Sequence, residues 1–275
     1  MIDGVNSQYL YDDKYYFGFE RSFSYTNEIT SFARKNPFIP IYTVALYLLF
    51  LLVGPIVMKY RQPLRVKSAL SVWNGALSVF ALCGSIRTAP VLYQYVTSSS
   101  MADIICRPSD VWIDTGPTGL WVTLFVGSKF PELIDTVFLV VRKRKVLFLH
   151  WFHHATTLLY SWHACAYPSN YALSFVAMNY CVHTMMYAYY SLVVLGKKPA
   201  WLSPFFITVS QIAQMFVGIS VQLSAAYWYF HPRQCSVSGY NILSGGIMYS
   251  MYLFLFVQFA YCKYFSGNKD SKKVR

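Results

Sequence analysis

Seven long apolar runs alternate with short polar breaks along the chain, at about residues 37–58, 68–96, 111–141, 146–166, 171–195, 203–230 and 240–264. Each is about as long as the ~20 residues a helix needs to cross a bilayer, or longer. The breaks carry turn formers and charge, as in Tyr167-Pro168-Ser169-Asn170, Gly196-Lys197-Lys198-Pro199 and His231-Pro232-Arg233-Gln234-Cys235. The pattern predicts an all-α polytopic membrane protein with seven transmembrane helices over residues 34–264. A polar, tyrosine-rich segment, 1–33, precedes them and a lysine-rich tail, 265–275, follows. Residues 1–33 contain no apolar stretch of the kind a cleavable signal peptide needs. The runs show no short-period repeat.

Composition agrees. The 275 residues are 56% hydrophobic and 12% charged, where a soluble domain has roughly a quarter charged. A net charge of +12 would point to nucleic acid in a soluble protein. Here Lys and Arg gather at the ends of apolar runs, which reads as topology and attraction to anionic headgroups, with no nucleic-acid partner. The breaks after runs one, three and five, with the tail from Lys263, hold fifteen Lys and Arg, and the opposite side holds six. The positive-inside rule therefore places the C-terminus and Arg142-Lys143-Arg144-Lys145 in the cytosol and the N-terminus in the lumen. Lys272 and Lys273, fourth and third from the C-terminus, resemble a dilysine retrieval signal and predict the endoplasmic reticulum. Cys106 and Cys235 fall in breaks on the same, lumenal side, an oxidising compartment, and are expected to form a disulfide. No Asn-x-Ser/Thr glycosylation site is present.

The candidate chemistry lies within the runs, where ionisable groups are costly and mark function by default. His150, His153 and His154 fall at i, i+3, i+4 and share one helix face. Lys129, Glu132, Asp135 and Thr136 share a broad face on the preceding run. They are either an ion-pair cluster holding helices together or a support that orients the histidines by hydrogen bonds. Asn179, His183, Tyr187 and Tyr190 form a polar stripe on run five. Thr208, Gln211 and Gln214 recur every three residues on run six, as interhelical glue or as catalytic donors. His163 and His231 lie toward the other membrane face and read as structural or solvated. Together the stripes suggest a helical bundle with a polar chamber on the cytosolic side and an apolar channel beyond it, suited to an amphiphile.

These residues fall into four ordered motifs. They are Lys-x-x-Glu-x-x-Asp-Thr (129–136), His-x-x-His-His (150–154), His-x-x-Met-Tyr-x-Tyr-Tyr (183–190) and Thr-x-x-Gln-x-x-Gln (208–214). In this order and spacing the chain resembles the very-long-chain fatty acid elongases, membrane 3-oxoacyl-CoA synthases of the endoplasmic reticulum. The similarity runs from about residue 31 to the tail. Trp151 and Pro131-Glu132-Leu133 look more like the branch that elongates saturated and monounsaturated chains around palmitate. The resemblance implies seven helices, with helices two to seven an inverted repeat of two three-helix units around a closed acyl tunnel. It implies condensation of acyl-CoA with malonyl-CoA to give 3-oxoacyl-CoA, CO2 and CoA.

No cysteine lies in the polar lining, so the thiol nucleophile of soluble synthases is missing, whereas neutral imidazole is a competent nucleophile near pH 7. By resemblance, His153 is the expected nucleophile and His183 stands close to it across the tunnel. His150 and His154 would orient it or move protons. Asn179 and Gln211 would bond a developing oxyanion. Lys129, Glu132, Asp135 and Tyr187 would support these from behind, and Arg142, Lys143, Arg144 and Lys145 would hold the CoA phosphates. No metal or cofactor is expected beyond the two CoA substrates. The expected partners are membrane lipid, the reductases and dehydratase of an elongation cycle, and a second copy of the chain. The main rival is a di-iron desaturase or hydroxylase, whose boxes also contain His-x-x-His-His but need about eight histidines, where this chain has six. A second is a seven-span receptor, which would put its pocket on the other side.

Overall fold

The computed structural model describes residues 16–23, 28–107, 116–198, 201–231, 235 and 237–266, and all regular structure among them is helical. Lys272 and Lys273 lie outside the described residues. Two short helices, α1 (Gly18–Arg21) and α2 (Glu28–Lys35), lead into α3 (Phe38–Lys59) and α4 (Lys67–Ser98). A short α5 (Met101–Cys106) follows, capped by Ser100 Oγ, which accepts from the Asp103 N–H at 3.2 Å. Then come α6 (Gly116–Ser128), α7 (Ile134–Val141), α8 (Phe148–Ala166), α9 (Ala172–Val194), α10 (Pro204–Tyr229) and α11 (Gly239–Ala260). Four helices among the described residues are long and apolar enough to cross a membrane: Phe38–Lys59, Lys67–Ser98, Pro204–Tyr229 and Gly239–Phe265. The protein is polytopic.

The third apolar run departs from expectation. It is not one helix: α6 stops at Ser128, a 3-10 turn covers Pro131–Leu133, and α7 starts at Ile134. Pro131 is the physical reason, since it has no N–H and its ring clashes with the carbonyl four residues back. The Phe130 N–H donates to the Gly127 carbonyl at 3.3 Å and that of Leu133 to the Phe130 carbonyl at 3.2 Å. The four residues expected to share one continuous helix face are therefore divided by the break.

The most extensive packing joins α4 to α9, followed by α10 to α11. A stripe of small residues brings α4 onto α9. Ser71 Oγ and Ser191 Oγ are 3.1 Å apart, Ser78 donates to the Thr184 carbonyl at 2.9 Å, and Gly84 faces the Tyr180 ring. That ring is fixed by its hydroxyl, which donates to the Trp121 carbonyl at 2.8 Å, and by edge contacts from Phe80 and Phe125. A Cβ on Gly84 would come within 2.5 Å of it. Gly84→Ala is therefore expected to cost about 1–3 kcal/mol as overpacking. The apparent Tm of the detergent-solubilised protein reads this directly. Gly75→Ala is the matched control, because its Cβ would meet only Ser191 Oγ at 3.5 Å, and it should leave Tm nearly unchanged.

The N-terminal segment closes one end of the bundle. Glu20 of α1 is 2% exposed and takes Arg87 Nε at 3.0 Å and Nη2 at 3.1 Å, with Trp121 Nε1 at 2.9 Å. Burial pushes its carboxyl up, but the hydrogen bonds from Arg87, Trp121 and the Phe17 N–H together outweigh this and hold its pKa below the ordinary carboxylate value. Nearby, Arg34 Nε donates to the Ala166 carbonyl at 2.6 Å and Trp162 Nε1 to the Ala33 carbonyl at 3.2 Å, tying α2 to the end of α8. Cys106 and Cys235 are disulfide-bonded and join α5 to the chain just before α11.

Candidate active site

The first turns of α8 carry the three clustered histidines. The His150 and His154 rings are tilted against each other with centroids 4.4 Å apart, and those of His153 and His154 stand 5.8 Å apart. His154 is buried, as is His183 on α9. They line a cavity of about 390 Å3 together with Asp135, Arg142, Asn179, Tyr187 and Gln211. A second cavity of about 90 Å3 runs deeper, walled by Val122, Phe125, Val126, Phe175 and Met248 and reaching Pro168. Among the described residues, four line both: His153, Asn179, Gln214 and Met215. His153 thus stands where a polar chamber meets an apolar one.

The setting of His153 is specific. Its Nδ1 is 3.4 Å from Thr157 Oγ1, one turn along α8. The Tyr252 ring of α11 packs at 4.8 Å from the imidazole. The Tyr252 hydroxyl contacts Thr157 Oγ1 at 2.9 Å and Thr156 Oγ1 at 2.6 Å, and lies 3.3 Å from the His153 carbonyl. In the tautomer that directs Nδ1–H to Thr157, Nε2 carries the ring's free lone pair.

The broken helix supplies three separate supports. Lys129 and Glu132, each nearly fully buried, pair at 2.7 Å, and Ser128 Oγ also donates to Glu132 at 2.8 Å. Lys129 Nζ reaches Asn179 Oδ1 at 3.5 Å and lies 4.1 Å over the Phe125 ring. Asp135, beyond the break, accepts from Trp73 Nε1 at 2.7 Å and from the Tyr187 hydroxyl at 2.8 Å. Thr136 Oγ1 is 2.9 Å from His150 Nε2, which joins this motif to a histidine. Gln211 Nε2 contacts Met186 Sδ at 3.4 Å. Among the described residues, no three His, Cys, Asp or Glu side chains are arranged to hold a metal ion. His163 packs against the Tyr167 ring and His231 against the Tyr227 ring, and neither lines either cavity.

A model of the GNS1/SUR4 (ELO) family matches residues 32–273. The chain belongs to this family. A Trypanosoma cruzi (strain CL Brener) protein named fatty acid elongase 3 is 38% identical over 267 residues, covering 86% of this chain and 88% of its own. The Drosophila melanogaster very long chain fatty acid elongase 6 is 36% identical over 236 residues, covering 85% of this chain and 74% of its own. The Homo sapiens protein of the same name is 34% identical over 257 residues, with 93% and 95% covered.

In this GNS1/SUR4 chain the basic run divides. Arg142 lines the histidine cavity, whereas Lys143, Arg144 and Lys145 line a separate groove on the other side of α7 and α8. The structure also adds residues that the motifs do not contain. Trp73 of α4 and Tyr252 of α11 hold Asp135 and His153 as described. Tyr47 of α3 is buried, and its hydroxyl lies 2.8 Å from Thr136 Oγ1, completing a chain from Tyr47 through Thr136 to His150. A lone tyrosine in an apolar run carries no periodic signal, so only the fold reveals it. Tyr47→Phe keeps the ring and removes the hydroxyl. One hydrogen bond is worth about 0.5–1.5 kcal/mol, so turnover is expected to fall several-fold, up to about tenfold, with KM unchanged. Steady-state kinetics on the purified variant checks the split.

Proposed function

We propose that the chain is a fatty acid elongase that condenses a long-chain acyl-CoA with malonyl-CoA, giving 3-oxoacyl-CoA, CO2 and CoA. The observation that carries this reading is His153 lining both cavities. An acyl chain fills the apolar cavity, its thioester carbonyl sits at His153, and CoA extends into the polar chamber toward Arg142. Family membership and the names of the relatives support the same reading.

The reaction runs in two steps. His153 Nε2 attacks the acyl carbonyl, the C–S bond breaks, and the imidazole proton passes to the departing thiolate. This leaves a neutral acyl-imidazole and CoA. Malonyl-CoA then loses CO2, and its enolate carbon attacks the acyl carbon. The C–N bond breaks and the imidazole takes up a proton, so each turnover consumes one. In this reading Asn179 and Gln211, which line the histidine cavity, donate to the oxyanions. His183, His150 and His154 orient His153 or move the proton. No cofactor is needed beyond the two thioesters.

The fuller architecture belongs to this proposal: seven membrane-crossing helices, with helices two to seven forming two inverted three-helix units around the acyl tunnel. So does an endoplasmic-reticulum location, with the N-terminus lumenal and the C-terminus cytosolic. The product, a 3-oxoacyl thioester, calls for reductases and a dehydratase next in line. Along α8 the apolar cavity is lined from His153 through Thr157, Tyr160 and Ser161 to Cys165, and the resemblance to the elongase branch acting around palmitate makes palmitoyl-CoA the acyl donor of this proposal.

The test is membranes containing the chain, supplied with radiolabelled malonyl-CoA and acyl-CoAs of increasing length. A labelled 3-oxoacyl product is expected, with a maximum near palmitoyl-CoA and a steep fall for longer chains. Absence of product at every length overturns the reading. Stoichiometric iron with oxygen-dependent desaturation would replace it with the di-iron alternative.

A further inference from the structure

The groove lined by Lys143, Arg144 and Lys145 is built for something other than the histidine chamber. It lies between α3, α7 and α8 and has a volume of about 1090 Å3, at the top of the ~300–1,000 Å3 range of small-molecule sites. Leu51, Leu52, Pro55 and Ile56 of α3 form one wall, and Val140 and Trp151 form the other. Four cations stand at one end: Lys59, Lys143, Arg144 and Lys145. Among the described residues, no acidic side chain lines it. Much of the α3 wall is open, with Leu52 70% and Ile56 64% exposed.

The backbone that carries the basic run is held at the mouth. Lys143 has φ 54°, a left-handed turn that reverses the chain after α7. Its Nζ donates to the Lys59 carbonyl at 3.1 Å, closing the end of α3. The Arg144 N–H returns to the Leu139 carbonyl at 2.8 Å, and the Leu64 N–H to the Val141 carbonyl at 3.0 Å. Cations at a membrane surface attract anionic lipid in any case. Here they converge at one end of an apolar slot.

We propose that this groove binds an anionic phospholipid, with its acyl chains along α3 and its phosphate among Lys59, Arg144 and Lys145. An apolar wall with cations at one end matches an amphiphile whose head carries net negative charge. A zwitterionic lipid fills the same wall and gains little from four cations. Trp151 presents the groove side of the same α8 turn that carries His150 and His154 into the chamber. The lipid therefore packs directly behind the histidines.

The test uses the full chain in phosphatidylcholine nanodiscs with phosphatidylserine as minor component, then native mass spectrometry of the lipid retained on release. Phosphatidylserine is expected to be retained about tenfold above its share in the disc. Lys59→Gln with Arg144→Gln should abolish the preference. Lys197→Gln with Lys198→Gln removes equal charge from another loop at the same end, and should leave the preference intact. Leu52→Trp, which fills the slot without changing charge, should lower retention of both lipids. Equal retention of the two lipids, equal loss in both charge pairs, or displacement of retained lipid by palmitoyl-CoA overturns the proposal. The readout is bound lipid, so it is independent of whether condensation is the reaction.

Discussion

Incubation with palmitoyl-CoA alone, without malonyl-CoA, is expected to leave one acyl group on His153, seen as a mass increase on the tryptic peptide that contains it. His153→Ala should lose both the adduct and turnover, the latter by at least about a thousandfold, as removal of a nucleophile does. His153 lines both cavities, and Thr157 Oγ1 lies 3.4 Å from its Nδ1, so the proposal assigns the attack to Nε2. His150 differs because its Nε2 is engaged with Thr136. An adduct on His150, His154 or His183 in the unmodified protein would move the role to that imidazole. Normal turnover by His153→Ala would sink the covalent route.

The largest expected effect on stability comes from Lys129. Lys129→Met leaves the Glu132 carboxylate buried with only Ser128 as a donor. Removing one member of a buried pair costs about 3–5 kcal/mol, because the remaining charge is uncompensated. The apparent Tm in detergent should fall steeply. Adding Glu132→Gln to Lys129→Met removes that charge and should recover most of the loss, the signature of direct coupling. A single substitution as stable as the parent would mean that Glu132 is neutral or hydrated in place. Turnover should not return with stability in the double variant, since Lys129 also reaches Asn179 beside His153.

Helix ends were readable where chemistry changes abruptly. Runs at 37–58 and 203–230 match α3 (Phe38–Lys59) and α10 (Pro204–Tyr229) to within one residue at each end, because basic or Pro-bearing breaks bound them. The break at 129–133 was signalled by Pro131 but hidden by the apolar residues on both sides of it. The histidine face was readable because i, i+3, i+4 spacing is a local geometric fact. The contacts between distant segments were not. Tyr47 is 89 residues from Thr136, and Glu20 is 67 from Arg87. No periodicity reports such pairings. The basic run shows the same limit: four adjacent cations look equivalent in a string. One left-handed residue, Lys143, sends Arg142 to the chamber and the rest to the outer groove.

The disulfide links residues 129 apart. Every histidine of the chamber, with Asn179 and Gln211, falls between its two cysteines. The chain from α6 to α10 is therefore a closed covalent loop, with α1 to α5 and α11 as two tails attached at its knot. One protease cut inside it, for instance after Lys197 in the turn between α9 and α10, does not yield two molecules. The nicked chain keeps its full mass on a non-reducing gel and separates only when a thiol is added. Limited proteolysis of this protein must be read in both lanes.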